Sequence, residues 1–284
     1  MRRGLFITGA AVLAIAGLGV SAGVAGASTV DRQATVTSVG AKAPSRPALK
    51  GRPMAPGAKS AAVIGPASLT YLYAYSYQYA TAAGSSANVT IAKPFLDTAD
   101  FHTLAEIAVQ SADGSQIVEV GWIVDRGQFG DANPHLFVFH WIDGVPTCYN
   151  GCGFVSDSTT LTAGQTLPVS STRKKFEIRH RLGAWYIGYN GSWFGHFPDS
   201  EWGGRYTQAG LIQWFGEVAA NSAAPCTDMG NGKFASSTSA AQFTSIAFTS
   251  GPAVNITVNQ SNPAYYSIVK ASNTSMRYGG TGAC

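Results

Sequence analysis

The chain has 284 residues, of which 19 are Lys or Arg and 15 Asp or Glu, so only 12% are charged, against about 25% in an average soluble domain. With 33 glycines and 45% hydrophobic residues, this composition excludes a coiled coil, a long-helix bundle and a solvated disordered chain, all of which need more charge. The formal net charge of +4 would suit a nucleic-acid binder only if the basic residues lay in the folded body.

They do not. Residues 1–27 carry Arg2 and Arg3, then a Leu/Ile/Val/Ala run ending in Ala25-Gly26-Ala27, the three-part pattern of a cleaved export signal. Residues 28–66 follow as a basic, Pro-rich leader or propeptide: Arg32, Lys42, Arg46, Lys50, Arg52 and Lys59 face a single acid, Asp31, and Pro44, Pro47, Pro53 and Pro56 interrupt regular structure. Beyond residue 60 there remain 11 Lys and Arg against 14 Asp and Glu, so the body is slightly acidic. Arg173-Lys174-Lys175 with Arg179 and Arg181 read as a solvated strand and its turn. The expectation is a secreted, extracellular protein with no nucleic-acid partner and no stable membrane association after signal cleavage.

From residue 67 to 284 the chain reads as one all-β domain of short strands. Leu72 to Tyr79 is dense in tyrosine, and Ile107–Gln110 and Gln116–Val124 flank the turn pair Asp113-Gly114. Leu136–Ile142 ends at a second pair, Asp143-Gly144, and further strands are expected at 176–182, 184–189, 209–219, 242–249 and 253–258. The spacing predicts an antiparallel β-sandwich or jelly roll.

Cys148, Cys152, Cys226 and Cys284 allow three disulfide pairings, the default reading behind an export signal. His102, His135, His140, His180 and His196 are scattered and no HExxH occurs, so no metal site is expected. GVSAG at 19–23 matches a nucleophile elbow but lies inside the export signal, and GNGKFA at 230–235 lacks the strand–turn–helix setting of a dinucleotide turn. No cofactor is implied.

Carboxylates are more informative. In QIVEVGWIV, strand alternation puts Val118, Val120, Trp122 and Val124 on one apolar face and Glu119 on the other with Ile117, Gly121 and Ile123. In LIQWFGEVA, Ile212, Trp214, Gly216 and Val218 share one face, and Glu217 shares the opposite one with Gln213, Phe215 and Ala219. Each Glu is thus an acid in a strand face that is otherwise uncharged. Two partly desolvated carboxylates can divide the work of activating water and protonating a leaving group.

The ordered strings EVGWIV (119–124), LFVFHWIDG (136–144), CYNGCGFV (148–155), WYIGY (185–189), QWFGEV (213–218), MGNGKF (229–234) and YGGTGAC (278–284) resemble the neprosin family of secreted glutamic peptidases. The resemblance implies a curved antiparallel β-sandwich, cleavage after proline at acid pH, and Glu119 and Glu217 as the catalytic pair in a concave cleft. It also implies pairing of Cys148 with Cys152 and of Cys226 with Cys284. The family has two glycines before its second catalytic Glu, where this chain has Phe215-Gly216, so an aromatic ring enters the cleft. Gln213, Phe215 and Tyr149 are the candidate contacts for a peptide substrate. A secreted glycoside hydrolase, or a non-catalytic carbohydrate-binding sandwich, is the rival reading of the same acids and aromatics.

Overall fold

The computed structural model describes residues 50–56 and 69–284. The expected export signal, and the expected leader apart from Lys50–Pro56, lie outside the described residues.

Fifteen strands are present among the described residues: β1 (Thr70–Ala82), β2 (Gly84–Ile91), β3 (His102–Gln110), β4 (Ile117–Val124), β5 (His135–Ile142), β6 (Val145–Pro146), β7 (Val155–Ser156), β8 (Ser170–Arg181), β9 (Ala184–Tyr189), β10 (Ser192–Pro198), β11 (Ala209–Ala220), β12 (Ala241–Thr249), β13 (Thr257–Gln260), β14 (Ser267–Ser272) and β15 (Ser275–Gly279). They form two antiparallel sheets, ordered β13-β1-β11-β3-β4-β5-β6 and β14-β15-β12-β2-β8-β9-β10-β7. The sandwich expected from strand spacing is therefore present. The strand expected at 253–258 instead spans Thr257–Gln260, where it pairs with Ala74–Tyr77 of β1.

The Asp143-Gly144 pair behaves as its chemistry requires, whereas Asp113-Gly114 lies inside a six-residue connection between β3 and β4 in which only Gly114 takes positive φ. Asp143 and Gly144 both take positive φ, 51° and 78°, which lets β5 fold straight back into β6. The basic run lies on β8, a largely solvated strand whose buried side chains are Phe176 and Ile178.

Between the sheets lies one apolar core. Val118, Val120, Trp122, Val124, Ile212, Trp214 and Val218 from the first sheet meet Phe176, Ile178, Trp185, Ile187 and Phe243 from the second. Its tryptophans are buried because their N–H groups find acceptors: Trp122 donates to Thr90 O at 2.9 Å and Trp185 to Tyr206 O at 2.8 Å. Disulfides join Cys148 to Cys152 and Cys226 to Cys284. The second ties the C-terminus back to the segment following β11, closing 58 residues, a constraint of about 4 kcal/mol by loop entropy.

The first sheet also buries its outer face. Tyr71, Tyr73, Tyr75, Leu104, Ala108, Ile117, Ile123, Phe137, Phe139, Trp141 and Phe215 form a second cluster there, joined by Met54, Leu69 and Tyr149. This explains why the strands bearing Glu119 and Glu217 lack the polar outer face of an ordinary sandwich strand.

Candidate active site

Strand register builds the site on that outer face. Across β3, Leu104 faces Glu217 of β11; Glu106 faces Phe215 of β11 on one side and Gly121 of β4 on the other; Ala108 faces Glu119 of β4. Glu217, Glu106 and Glu119 thus occupy one diagonal across three adjacent strands, with Glu106 in the middle. Diagonal neighbours in a sheet are about 7–8 Å apart at the backbone, within reach of glutamate side chains. All three residues are fully buried.

They converge on one cation. Lys50 Nζ lies 2.7 Å from Glu106 Oε1, 3.2 Å from Glu217 Oε2 and 3.7 Å from Glu119 Oε2. The carboxylates of Glu119 and Glu217, on strands that are not neighbours, are therefore separated by less than twice 3.7 Å. The Phe215 ring completes the cage, its centroid 5.4 Å from the ammonium. His102 Nε2 lies 2.8 Å from Glu217 Oε1.

Lys50 is delivered by a peptide lying across the acids. Gly51 N–H donates to Glu217 Oε1 at 3.2 Å, Tyr73 O–H donates to Arg52 O at 3.0 Å, and Gln213 Nε2 donates to Met54 O at 2.8 Å. Arg52 turns outward and donates to Gly114 O at 2.8 Å, while Pro53 and Met54 are buried. Only glycine fits at position 51. A Cβ there would come within 2.7 Å of Tyr71 Cδ1 and 2.8 Å of Glu217 Oε2.

The charges shift one another strongly. Burial raises Glu106 well above the usual carboxylate range, reinforced by the charge of Glu119. Burial and the Glu217 charge bring Glu119 to about 7, against the opposing pull of Lys50. Burial would raise Glu217 as well, but the Lys50 ammonium and the His102 hydrogen bond outweigh it and hold Glu217 below its ordinary value. Lys50 itself is depressed by burial and lifted further by the three acids, and stays charged.

The structure thus brings Glu119, Glu217, Gln213 and Phe215 to one place. Tyr149 stands there too: its ring packs on Phe137 and Phe139 at 5.6 and 5.0 Å, and the site acids help to raise its phenol's pKa, after burial. It therefore faces the acids from the loop that the Cys148–Cys152 bridge clips.

Sequence reasoning missed Glu106, Lys50, Tyr73 and Trp141. Glu106 alternates with Leu104 and Ala108 in HTLAEIAVQ, and a strand begun at Ile107 cut it off, whereas β3 begins at His102. Lys50 looked like any basic residue of a Pro-rich leader. Trp141 belongs to the outer cluster, and its indole N–H is directed at Glu119, where it favours the ionised carboxylate.

Comparison with solved structures finds sandwich proteins at low similarity. A carbohydrate-binding module, CBM66, from Bacillus subtilis matches with TM-score 0.29 and 9% identity over 54% of this chain and 80% of its own. A family 16 endo-glucanase from Bacteroides ovatus matches with TM-score 0.32 and 12% identity over 58% and 72%. The homodimeric agglutinin CG-16 from chicken liver gives 0.27 and 10% over 53% and 92%. None of these likenesses bears on what this chain binds or cleaves. The Neprosin family model matches residues 99–281, more than half of the chain and including all three glutamates. The chain belongs to the Neprosin family, and its function is of peptidase type.

Proposed function

We propose that this protein is an exported glutamic endopeptidase, active at acid pH once its leader has left the cleft. The observation that carries this reading is the meeting of the Glu119 and Glu217 carboxylates at one ammonium, with a peptide lying across them. In the open cleft a water takes the ammonium's position. Its oxygen bonds to the scissile carbonyl carbon as Glu217, which keeps its His102 hydrogen bond, takes its proton. Glu119, which burial raises even against the pull of Lys50, then gives its own proton to the amide nitrogen as the C–N bond breaks. Gln213 and Tyr73, which hold the Met54 and Arg52 carbonyls, hold the substrate backbone in the same way.

The leader reads as an inhibitory propeptide. Its Lys50 fills the water position, and its buried Pro53 supports acceptance of proline in the cleft. The two disulfides suit an extracellular protein.

The test is to acidify the full-length protein, follow its mass, and assay proline-containing peptides by mass spectrometry. Loss of the export signal and residues 28–66 with defined cleavage after proline supports the proposal. Undiminished hydrolysis by the Glu119→Gln and Glu217→Gln proteins overturns the pair, and glycan cleavage without peptide cleavage supports a glycoside hydrolase instead.

A further inference from the structure

We propose that Glu106 is a third carboxylate of the reaction centre, accepting a hydrogen bond from the attacking water while Glu217 takes that water's proton. This rests on the peptidase reading above and extends it to a residue outside the Glu119–Glu217 pair.

The Lys50 ammonium marks where a small hydrogen-bond donor sits between the acids. Of the three, Glu106 is nearest, at 2.7 Å against 3.2 Å for Glu217, while Glu119 at 3.7 Å is beyond hydrogen-bonding reach. A water at that point has two protons and two close acceptors, Glu106 Oε1 and Glu217 Oε2. With both protons engaged, a lone pair is left to face the carbonyl carbon. Two acceptors fix the water's orientation, where Glu217 alone would leave it free to rotate about one hydrogen bond.

The surroundings of Glu106 are built for reach. It stands between Phe215 and Gly121, and a Cβ on Gly121 would come within 2.7 Å of Glu106 Cβ. A glycine inside a buried strand marks a close approach, and here it is the β3 backbone that approaches, first the Ala105 carbonyl oxygen, the atom nearest such a Cβ, and then Glu106. Its hydrogen bonding points the same way. Lys50 is the partner of Oε1, and Oε2 has none among the described residues. Glu217, by contrast, keeps His102 when the leader goes. A carboxylate buried in the body with no partner from the body is costly, and a water or substrate group that it holds during turnover supplies the missing hydrogen bond.

In the step itself the water oxygen bonds to the carbonyl carbon and one water proton passes to Glu217. The other stays on the new hydroxyl, still donated to Glu106, which neither gains nor loses a proton. Glu119 delivers its proton to the departing amine.

The experiment uses the full chain with a cleavage site for an added protease inserted within residues 57–68, so that variants unable to process themselves can still be opened. The freed leader is removed by dialysis at acid pH. Glu106→Leu removes the acceptor, and Glu106→Gln keeps an oxygen acceptor without the charge. Thermal unfolding establishes that both are folded. The expected result is a kcat about 100-fold lower for Glu106→Leu with KM little changed, and partial recovery in Glu106→Gln.

A second measurement needs no substrate chemistry in the interpretation. n-Butylammonium, which mimics the Lys50 side chain, inhibits the open wild-type protein, and its inhibition constant rises about tenfold in either variant. An unchanged kcat in folded Glu106→Leu protein, or unchanged inhibition by the amine, overturns the assignment. If the open wild-type protein cleaves no peptide, the peptidase reading fails and this one falls with it; if wild type cleaves and Glu106→Leu matches it, only this one falls.

Discussion

The Gly51 amide donates to Glu217 Oε1 at 3.2 Å, and the preceding side chain, Lys50, takes the other oxygen of the same carboxylate at 3.2 Å. Two consecutive leader residues therefore engage both oxygens of the carboxylate that a catalytic base would turn toward water. The same contacts make the leader sensitive to pH.

Docking Lys50 lowers the pKa of all three glutamates relative to the open cleft. Docking therefore releases protons, and falling pH opposes it. The sign is fixed by the carboxylates, because Lys50 stays charged throughout. Glu106 and Glu119, both raised by burial, take up protons first, Glu119 at about pH 7, while Glu217, held low, is the last anion to go. Lys50→Met removes this linkage. The variant is expected to open at higher pH than wild type and to show at least tenfold greater peptidase activity at neutral pH before any acid treatment, measured with a fluorogenic peptide.

Gly51→Ala tests the leader's seat without altering the body. The added methyl would meet Tyr71 and Glu217 at 2.7 and 2.8 Å, so residues 50–56 cannot lie down as observed. Hydrogen exchange should show faster labelling of residues 50–56 and of the strand ends around Tyr73. Unchanged protection would mean that the leader is held by something other than this contact.

His102→Leu removes the donor 2.8 Å from Glu217 Oε1. That hydrogen bond favours the ionised carboxylate, so its loss raises the pKa of Glu217. With Glu217 as the base, the acid limb of the kcat/KM profile of the opened protein moves to higher pH. A profile that stays in place would remove Glu217 from the role of base.

Phe215→Ala should cost about 3 to 5 kcal/mol of stability, because the ring is buried against Tyr73, with centroids 5.8 Å apart. Urea denaturation of the full chain measures it. The same substitution removes the aromatic wall beside Lys50 and should widen the range of side chains accepted next to the scissile bond.

Much of this was open to reading from the chain alone. Alternation in QIVEVGWIV and LIQWFGEVA separated the core face from the Glu face correctly, because a strand's side-chain period of two is set locally by backbone geometry. Turn pairs such as Asp143-Gly144 were legible for the same reason: their positive φ is a property of the residues themselves. Strands rich in serine and glycine, such as β2 and β15, were missed because tertiary pairing holds them, with little local propensity.

The amino-acid sequence by itself determined an all-β chain, a charge-poor body behind a basic leader, and two conspicuous acids facing away from the core. Only the tertiary structure decided that these acids meet. That depends on β3 lying between β11 and β4 in one particular register, and register is fixed by long-range packing. It also revealed Glu106 between them and Lys50 upon them. A carboxylate's chemistry depends on which charges lie within a few ångströms, and residues 50, 106, 119 and 217 become neighbours only when the sheet forms.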